Sequence, residues 1–218
     1  MLKKLLVYIL SMSMGTVMIA QPITLFIGID IAGINVSNVQ QYISSKLATN
    51  FKPEQHPHST LAYLGQLDAR VLQSGSALSN LLFSVAQQAT PFLLQVLKGT
   101  KAHLLGKNAL IVPLHDATGQ LAQMAKAIRQ NPFIQEMVPN MLSFQPHSTL
   151  GRITNPQDPL VQKVVPTINP PTGTATINKI ILFQAGGPLK ELVSYDLGTG
   201  KRTETAAYRQ LMATACSA

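Results

Sequence analysis

Two copies of one pentapeptide hold the residues of this chain best suited to chemistry. Pro57-His58-Ser59-Thr60-Leu61 and Pro146-His147-Ser148-Thr149-Leu150 are identical and lie 89 residues apart. That interval is too long for a tandem array of small repeats. It points to two halves of one body, each carrying the same chemical tool. Each copy sits in a run that reads as a β-strand, and strand side chains alternate between faces. His58 and Thr60 therefore point one way together, as do His147 and Thr149. Ser59, Leu61, Ser148 and Leu150 point to the opposite faces, which argues against either serine as a nucleophile.

If the two strands meet across a cleft, two imidazoles and two hydroxyls surround one small volume. That set suits phosphoryl transfer to or from an oxygen. One neutral histidine takes a proton from the attacking water or ribose hydroxyl, and the other, protonated, gives one to the leaving oxygen. An imidazole pKa of about 6.5 makes both states accessible near neutrality. The threonine hydroxyls can hydrogen-bond the non-bridging phosphate oxygens. Two histidines with no paired Asp, Glu or Cys nearby fall short of the three protein ligands of a catalytic zinc site. No metal and no cofactor are expected.

Arg152 is attractive as a phosphate clamp and is a candidate substrate contact. It stands five residues from His147, so ideal alternation turns it to the other face unless a bulge re-aims it. His56, His103 and His115 lack repeated context and read as surface or structural groups. Lys98, Lys101 and Lys107 could guide an RNA backbone, although a solvated loop is the simpler reading. Tyr63, Phe144 and Phe26 could stack a base, and each reads first as a core residue.

The elements that must position these residues follow from periodicity. Residues 23–31 are rich in β-branched and aromatic side chains and read as a strand. Val36, Val39, Ile43 and Leu47 form a helical stripe, with Asn35 placed to cap it. Residues 58–64 are the first motif strand, closed by Gly65. Val71, Leu78, Leu81, Leu82 and Val85 mark a second helix that runs past Gly75. Residues 92–97 and 109–114 read as strands, and the segment 99–108 between them as an exposed hairpin loop. Leu121, Met124, Ala125 and Ile128 mark a third helix, capped by Asp116 or Thr118 and ended by Asn131-Pro132. Residues 144–153 hold the second motif strand. Residues 155–173 wrap the surface with one short helix, and 177–183 and 192–197 form two strands around Gly186-Gly187-Pro188. The tail after Gly200 is either a docked helix or frayed. This mixture, with one motif in each half, gives an α+β fold of two similar lobes of antiparallel sheet with flanking helices.

The motif and its flanks resemble the two-histidine phosphoesterase superfamily, in particular its 2′-5′ RNA ligase and cyclic phosphodiesterase group. His58-Ser59-Thr60-Leu61 leads into Ala62-Tyr63-Leu64-Gly65, and His147-Ser148-Thr149-Leu150 leads into Gly151-Arg152-Ile153; both are similar to that family's paired signature. The order of elements between residues 23 and 197 is similar as well. The resemblance implies a bilobal fold with the active site in the cleft. It implies hydrolysis of 2′,3′-cyclic phosphates, cleavage of 2′-5′ linkages, or the reverse ligation. By position, His58 and His147 would be the acid–base pair, and Thr60 and Thr149 the phosphate binders. A module that binds nucleotide or RNA in the same cleft without turnover is the alternative, and an envelope protein whose repeated strands merely pair is a weaker one.

The bulk composition agrees with such a ligand. The chain has 17 Lys and Arg against 9 Asp and Glu, a net charge of +8. A basic surface favours anionic ligands such as nucleotides, RNA or phospholipid head groups. So few carboxylates leave little material for a carboxylate mechanism. Cys216 is the single cysteine, so neither an internal disulfide nor a cysteine zinc site can form. Residues 1–20 read as an export signal, with Lys3 and Lys4 followed by an apolar run to Ala20. The expected domain plan is a signal at 1–20, a two-lobed domain at 21–200 and a tail at 201–218. A periplasmic or secreted monomer with no membrane span after cleavage follows. The rival is an uncleaved membrane anchor, although the run is slightly short for a span of about 20 residues.

Overall fold

The computed structural model describes residues 22–216, and the expected export segment lies outside them. Twelve strands are present among the described residues: β1 (Ile23–Asp30), β2 (Ile34–Asn35), β3 (Phe51–Pro53), β4 (His58–Leu67), β5 (Phe92–Gln95), β6 (His103–Leu105), β7 (Ala109–Pro113), β8 (His147–Ile153), β9 (Thr172–Ile177), β10 (Lys179–Ala185), β11 (Lys190–Asp196) and β12 (Arg202–Glu204). The α-helices are α1 (Ser37–Leu47), α2 (Ala77–Gln88), α3 (Gln120–Arg129), α4 (Pro132–Met137), α5 (Pro159–Val164) and α6 (Ala206–Cys216).

The first lobe is a five-stranded sheet in the order β12-β11-β10-β1-β4. Its β1 lies between β10 and β4, so its run of Ile, Leu and Phe is buried along nearly its whole length. Helix α2 packs on β10 and β11, α6 on β11 and α3 on β4. The apolar stripe of α2 (Leu78, Leu81, Leu82, Val85) faces the core. Its N-terminus is capped by Ser76, whose Oγ accepts from the Ser79 amide at 3.1 Å, a bond that satisfies one orphan donor of the first turn. The second lobe is the four-stranded sheet β3-β8-β7-β6 with a three-stranded sheet β2-β9-β5 beside it. The two are joined by a bridge between Gln95 and His115; α1 packs on β3 and β8, and α5 packs against α1. Every strand pairing is antiparallel. The architecture is the expected α+β one, with antiparallel sheets and flanking helices in two lobes.

One apolar cluster runs through both lobes, from Leu25 and Leu61 in the first to Leu110 and Leu150 in the second. A separate small cluster of Phe26, Ile181 and Phe183 lies on the other face of the first sheet. Strands β4 and β8 touch where the lobes meet, so the two motifs face a common boundary. Among the described residues no helix is long and apolar enough to cross a membrane.

Several local expectations are corrected. Asn35 does not cap α1; it pairs with Thr172 in β2, and Val36 occupies the cap position. Gly65, at φ 75°, bends β4 without ending it. The helical stripe from Val71 is divided: residues 69–72 form a 3₁₀ turn, and Gly75 at φ 81° separates it from α2. Asn131-Pro132 starts α4 as well as ending α3, since Asn131 Oδ1 accepts from the Phe133 amide at 3.0 Å. The segment 99–108 contains β6. The tail is docked: Tyr208 of α6 is buried and its hydroxyl donates to the Leu72 carbonyl at 3.3 Å.

Candidate active site

Strands β4 and β8 repeat each other beyond the pentapeptide. Their burial runs in the same order over seven residues, His58 to Leu64 and His147 to Ile153. The histidine and threonine are half-buried and the serine between them is buried in each. Ser59 is 1% and Ser148 0% exposed, so both turn into the core as alternation requires. After the threonine each strand carries a bulge. Gly28 pairs with Thr60 but Ile27 with Ala62, and Ile111 pairs with Thr149 but Leu110 with Gly151. Leu61 and Leu150 are the extra residues. A bulge shifts the alternation by one, and the next outward residues, Tyr63 and Arg152, come round to the face of the histidines. Gly151 permits this at β8, because a Cβ there would collide with the Phe51 ring and the Lys52 carbonyl. Gly28 does the same service beneath Thr60, where a Cβ would stand 2.7 Å from the Ser59 carbonyl oxygen.

Both imidazoles are anchored by the same device. His58 Nδ1 donates to the His56 carbonyl at 2.7 Å, and His147 Nδ1 donates to the Gln145 carbonyl at 2.6 Å. A carbonyl only accepts, so each Nδ1 carries the proton and each Nε2 keeps the free lone pair when neutral. The His58 ring also packs on Phe26, with centroids 5.0 Å apart, and on Phe183 at 5.9 Å. Phe26 and Phe183 stack on each other at 4.9 Å. Burial pushes the His147 pKa below the usual histidine value; its bond to the Gln145 carbonyl opposes this, and the charges of His58 and His103 add to the lowering. The two motif imidazoles thus stand on facing strands at the lobe boundary.

A cavity of about 580 Å³ opens beside His58. His58, Thr60, Tyr63 and Phe26 line it from the first lobe, Arg152 from the second, and the Gly186-Gly187-Pro188 turn closes one side. His147 and Thr149 lie outside that lining, further along the face of β8 that carries Arg152. Arg152 is exposed, and its Nη1 donates to Asn108 Oδ1 at 3.4 Å. Tyr63 is 54% exposed and is not a core residue. Phe26 is buried, but in the small cluster under His58 and not in the main core. Phe144 packs against the main core as expected. The sequence reading missed Glu54, Gln55 and the Gly186–Leu189 turn as walls of the cavity. No periodic signal marks them, since irregular loops line a cleft by tertiary placement alone. Among the described residues no group of three His, Cys, Asp or Glu is placed to hold a metal.

No family model matches the sequence, and no curated protein matches it. Solved structures do resemble the fold. TT0787 of Thermus thermophilus superposes with a TM-score of 0.61 at 18% identity, over 82% of this chain and 100% of that one. E. coli LigT complexed with phosphate superposes with a TM-score of 0.51 at 19% identity, over 81% of this chain and 98% of that one. E. coli LigT complexed with 3′-AMP gives a TM-score of 0.48 at 20% identity with the same coverage. With two lobes and antiparallel sheets flanked by helices, the chain has the fold of TT0787 and of LigT in its phosphate complex.

Proposed function

We propose that the protein is a phosphodiesterase that opens 2′,3′-cyclic phosphates or 2′-5′ linkages of nucleotides or RNA ends by acid–base catalysis between His147 and His58. The carrying observation is the matched anchoring of the two imidazoles on strands that meet at the lobe boundary. The phosphate complex of a protein with this fold supports a phosphate-binding cleft.

His147 is assigned the role of base in hydrolysis, because burial favours its neutral imidazole. It takes a proton from water as the water oxygen bonds to phosphorus. The bond from phosphorus to a ribose oxygen breaks, and protonated His58 gives its Nε2 proton to that oxygen. A proton thus passes from one imidazole to the other per turnover and returns through solvent. Thr60 and Thr149 donate to the non-bridging oxygens, and Arg152 neutralises the charge that develops there. The donor set calls for no metal. Purified protein should therefore hydrolyse a 2′,3′-cyclic nucleotide in EDTA, and product analysis would show a single phosphomonoester position. Stoichiometric nucleotide binding without product would instead mark a binding module. Full activity in the His58→Ala, His147→Ala double variant would overturn the proposal. Export of the enzyme is a separate proposal resting on residues 1–20, tested by sequencing the N-terminus of protein recovered outside the cytoplasm, with Gln21 expected first.

A further inference from the structure

The two lobes build their facing surfaces on one plan and fill it with different chemistry. Opposed residues of neighbouring strands share a face. In the first lobe Thr60 pairs with Gly28 and Gly28 with Ile181; the next row is Tyr63, Phe26 and Phe183. In the second lobe the matching rows are Thr149, Ile111 and His103, then Arg152, Ala109 and Leu105. The first surface is aromatic. The second carries Arg152 and, in the place of Ile181, His103.

Three observations put His103 on the cleft side of β6. Its neighbour Leu104 packs into the main core, so alternation turns His103 the other way. Ile111, between His103 and Thr149, is 1% exposed yet stands outside the main apolar cluster that takes Leu110 and Val112. The charge of His103 is also felt at His147. Moreover, His103 Nδ1 faces the Lys101 carbonyl at 3.4 Å, the same two-residue step that anchors His58 and His147. Its Nε2 is thereby directed outward.

The arm that carries His103 is basic throughout. From Pro91 to His115 the chain has Lys98, Lys101 and Lys107 and no Asp or Glu. All three lysines are exposed, and none belongs to an ion pair among the described residues. At the far end of the arm Asn108 holds Arg152. On the open edge of β6, Lys101, His103 and Leu104 face Val165 and Pro166 across a groove of about 470 Å³. Its rim of Lys101 and His103 is suited to meet a phosphate backbone.

The structure assigns a second phosphate-binding track to this arm, and we propose that His103 receives the phosphodiester next to the scissile one, so that the preferred ligand is an RNA end of several nucleotides. This rests on the phosphodiesterase reading of the cleft. The aromatic lobe has rings for a terminal base; the basic lobe leads the chain away.

The test compares binding of a 3′-phosphorylated mononucleotide and a 3′-phosphorylated tetranucleotide to the whole protein, by competition against a fluorescent tetranucleotide. The tetranucleotide should bind about tenfold more tightly at low salt. His103→Ala should remove most of that advantage while changing mononucleotide affinity less than about twofold. A triple Lys98→Ala, Lys101→Ala, Lys107→Ala variant, confined to exposed side chains, should lower the salt slope for the tetranucleotide by about two. Equal affinity for the two lengths would overturn the track, as would equal loss or no loss with His103→Ala. Turnover is read separately. Length-dependent binding through His103 without hydrolysis of any cyclic phosphate would sink the catalytic reading alone, and hydrolysis without length dependence would sink the track alone.

Discussion

Tyr63 and Arg152 occupy the same place in two different strands, each five residues beyond a motif histidine and each swung onto the cleft face by a bulge at the preceding leucine. One is an aromatic ring and the other a cation, so one frame presents two kinds of contact to the same cavity. Arg152→Ala should lower kcat/KM about 10- to 100-fold, in line with loss of a charge-assisted hydrogen bond to phosphate. Tyr63→Ala should act mainly on KM, by about 1–3 kcal/mol if a base stacks there. Steady-state kinetics on a 2′,3′-cyclic nucleotide separates the two. A Tyr63→Ala variant with unchanged KM for every base would remove the ring from the binding surface.

The acid–base pair makes a sharper demand. His58→Ala and His147→Ala should each reduce kcat by about 10²- to 10⁴-fold, the usual worth of one proton transfer. The double variant should lose much less than the product of the two, because residues that work as a unit are not additive. Single-turnover rates on one substrate check this. Product-like phosphate binding should survive in both single variants, since the threonines remain.

What could be read from the chain follows from how local each signal is. His58, Thr60, His147 and Thr149 share faces by simple alternation, and both serines are buried as that rule requires. The stripes of α1, α2 and α3 were equally legible, because three turns of periodic burial are a property of the segment itself. Arg152 was not, since a bulge depends on the register with β7, which no residue of β8 reveals. Strand β6 was hidden for a related reason. Three residues beside Gly99, Gly106 and the lysines carry no periodicity, and only the pairing of His103 with Ile111 makes them a strand. The two-residue β2 was similarly invisible.

The lowered pKa of His147 predicts how stability and activity respond to acid. In the folded protein burial disfavours the imidazolium, while the unfolded chain titrates near about 6.5. The unfolded state then binds more protons between those two values. Stability is therefore whole above about pH 6.5 and falls as pH drops through the interval toward the folded pKa. Urea melts at about pH 7.5 and about pH 5.0, on either side of the unfolded value, should show a smaller loss for His147→Gln than for the wild type. The acid limb of kcat/KM should likewise lie below about pH 6.5 if His147 is the base. A limb above that value would assign the base elsewhere.

The serines of the motif allow a test that separates structure from catalysis. Neither Ser59 Oγ nor Ser148 Oγ has a hydrogen-bond partner among the described residues, and both are buried. An unsatisfied buried hydroxyl costs about 1–3 kcal/mol. Ser59→Ala and Ser148→Ala should then keep or raise the melting temperature and leave kcat unchanged. Loss of activity in either, with stability intact, would give the hydroxyl a chemical role that its orientation does not support.

Gly151 links the two themes, because it lets β3 lie close on β8 just before the residue that the bulge re-aims. An added methyl would meet the Phe51 ring and the Lys52 carbonyl, and neither is the free end of a flexible side chain. Gly151→Ala should therefore push β3 away and cost about 1–3 kcal/mol, the usual penalty of overpacking. Lys52 pairs directly with Arg152 across that same boundary, so the displacement also changes the aim of Arg152. The variant should show a raised KM together with a lower melting temperature, whereas Arg152→Ala should raise KM with the melting temperature unchanged. If Gly151→Ala melts like the wild type, the strands can part without cost and the glycine is not what holds Arg152 at the cavity.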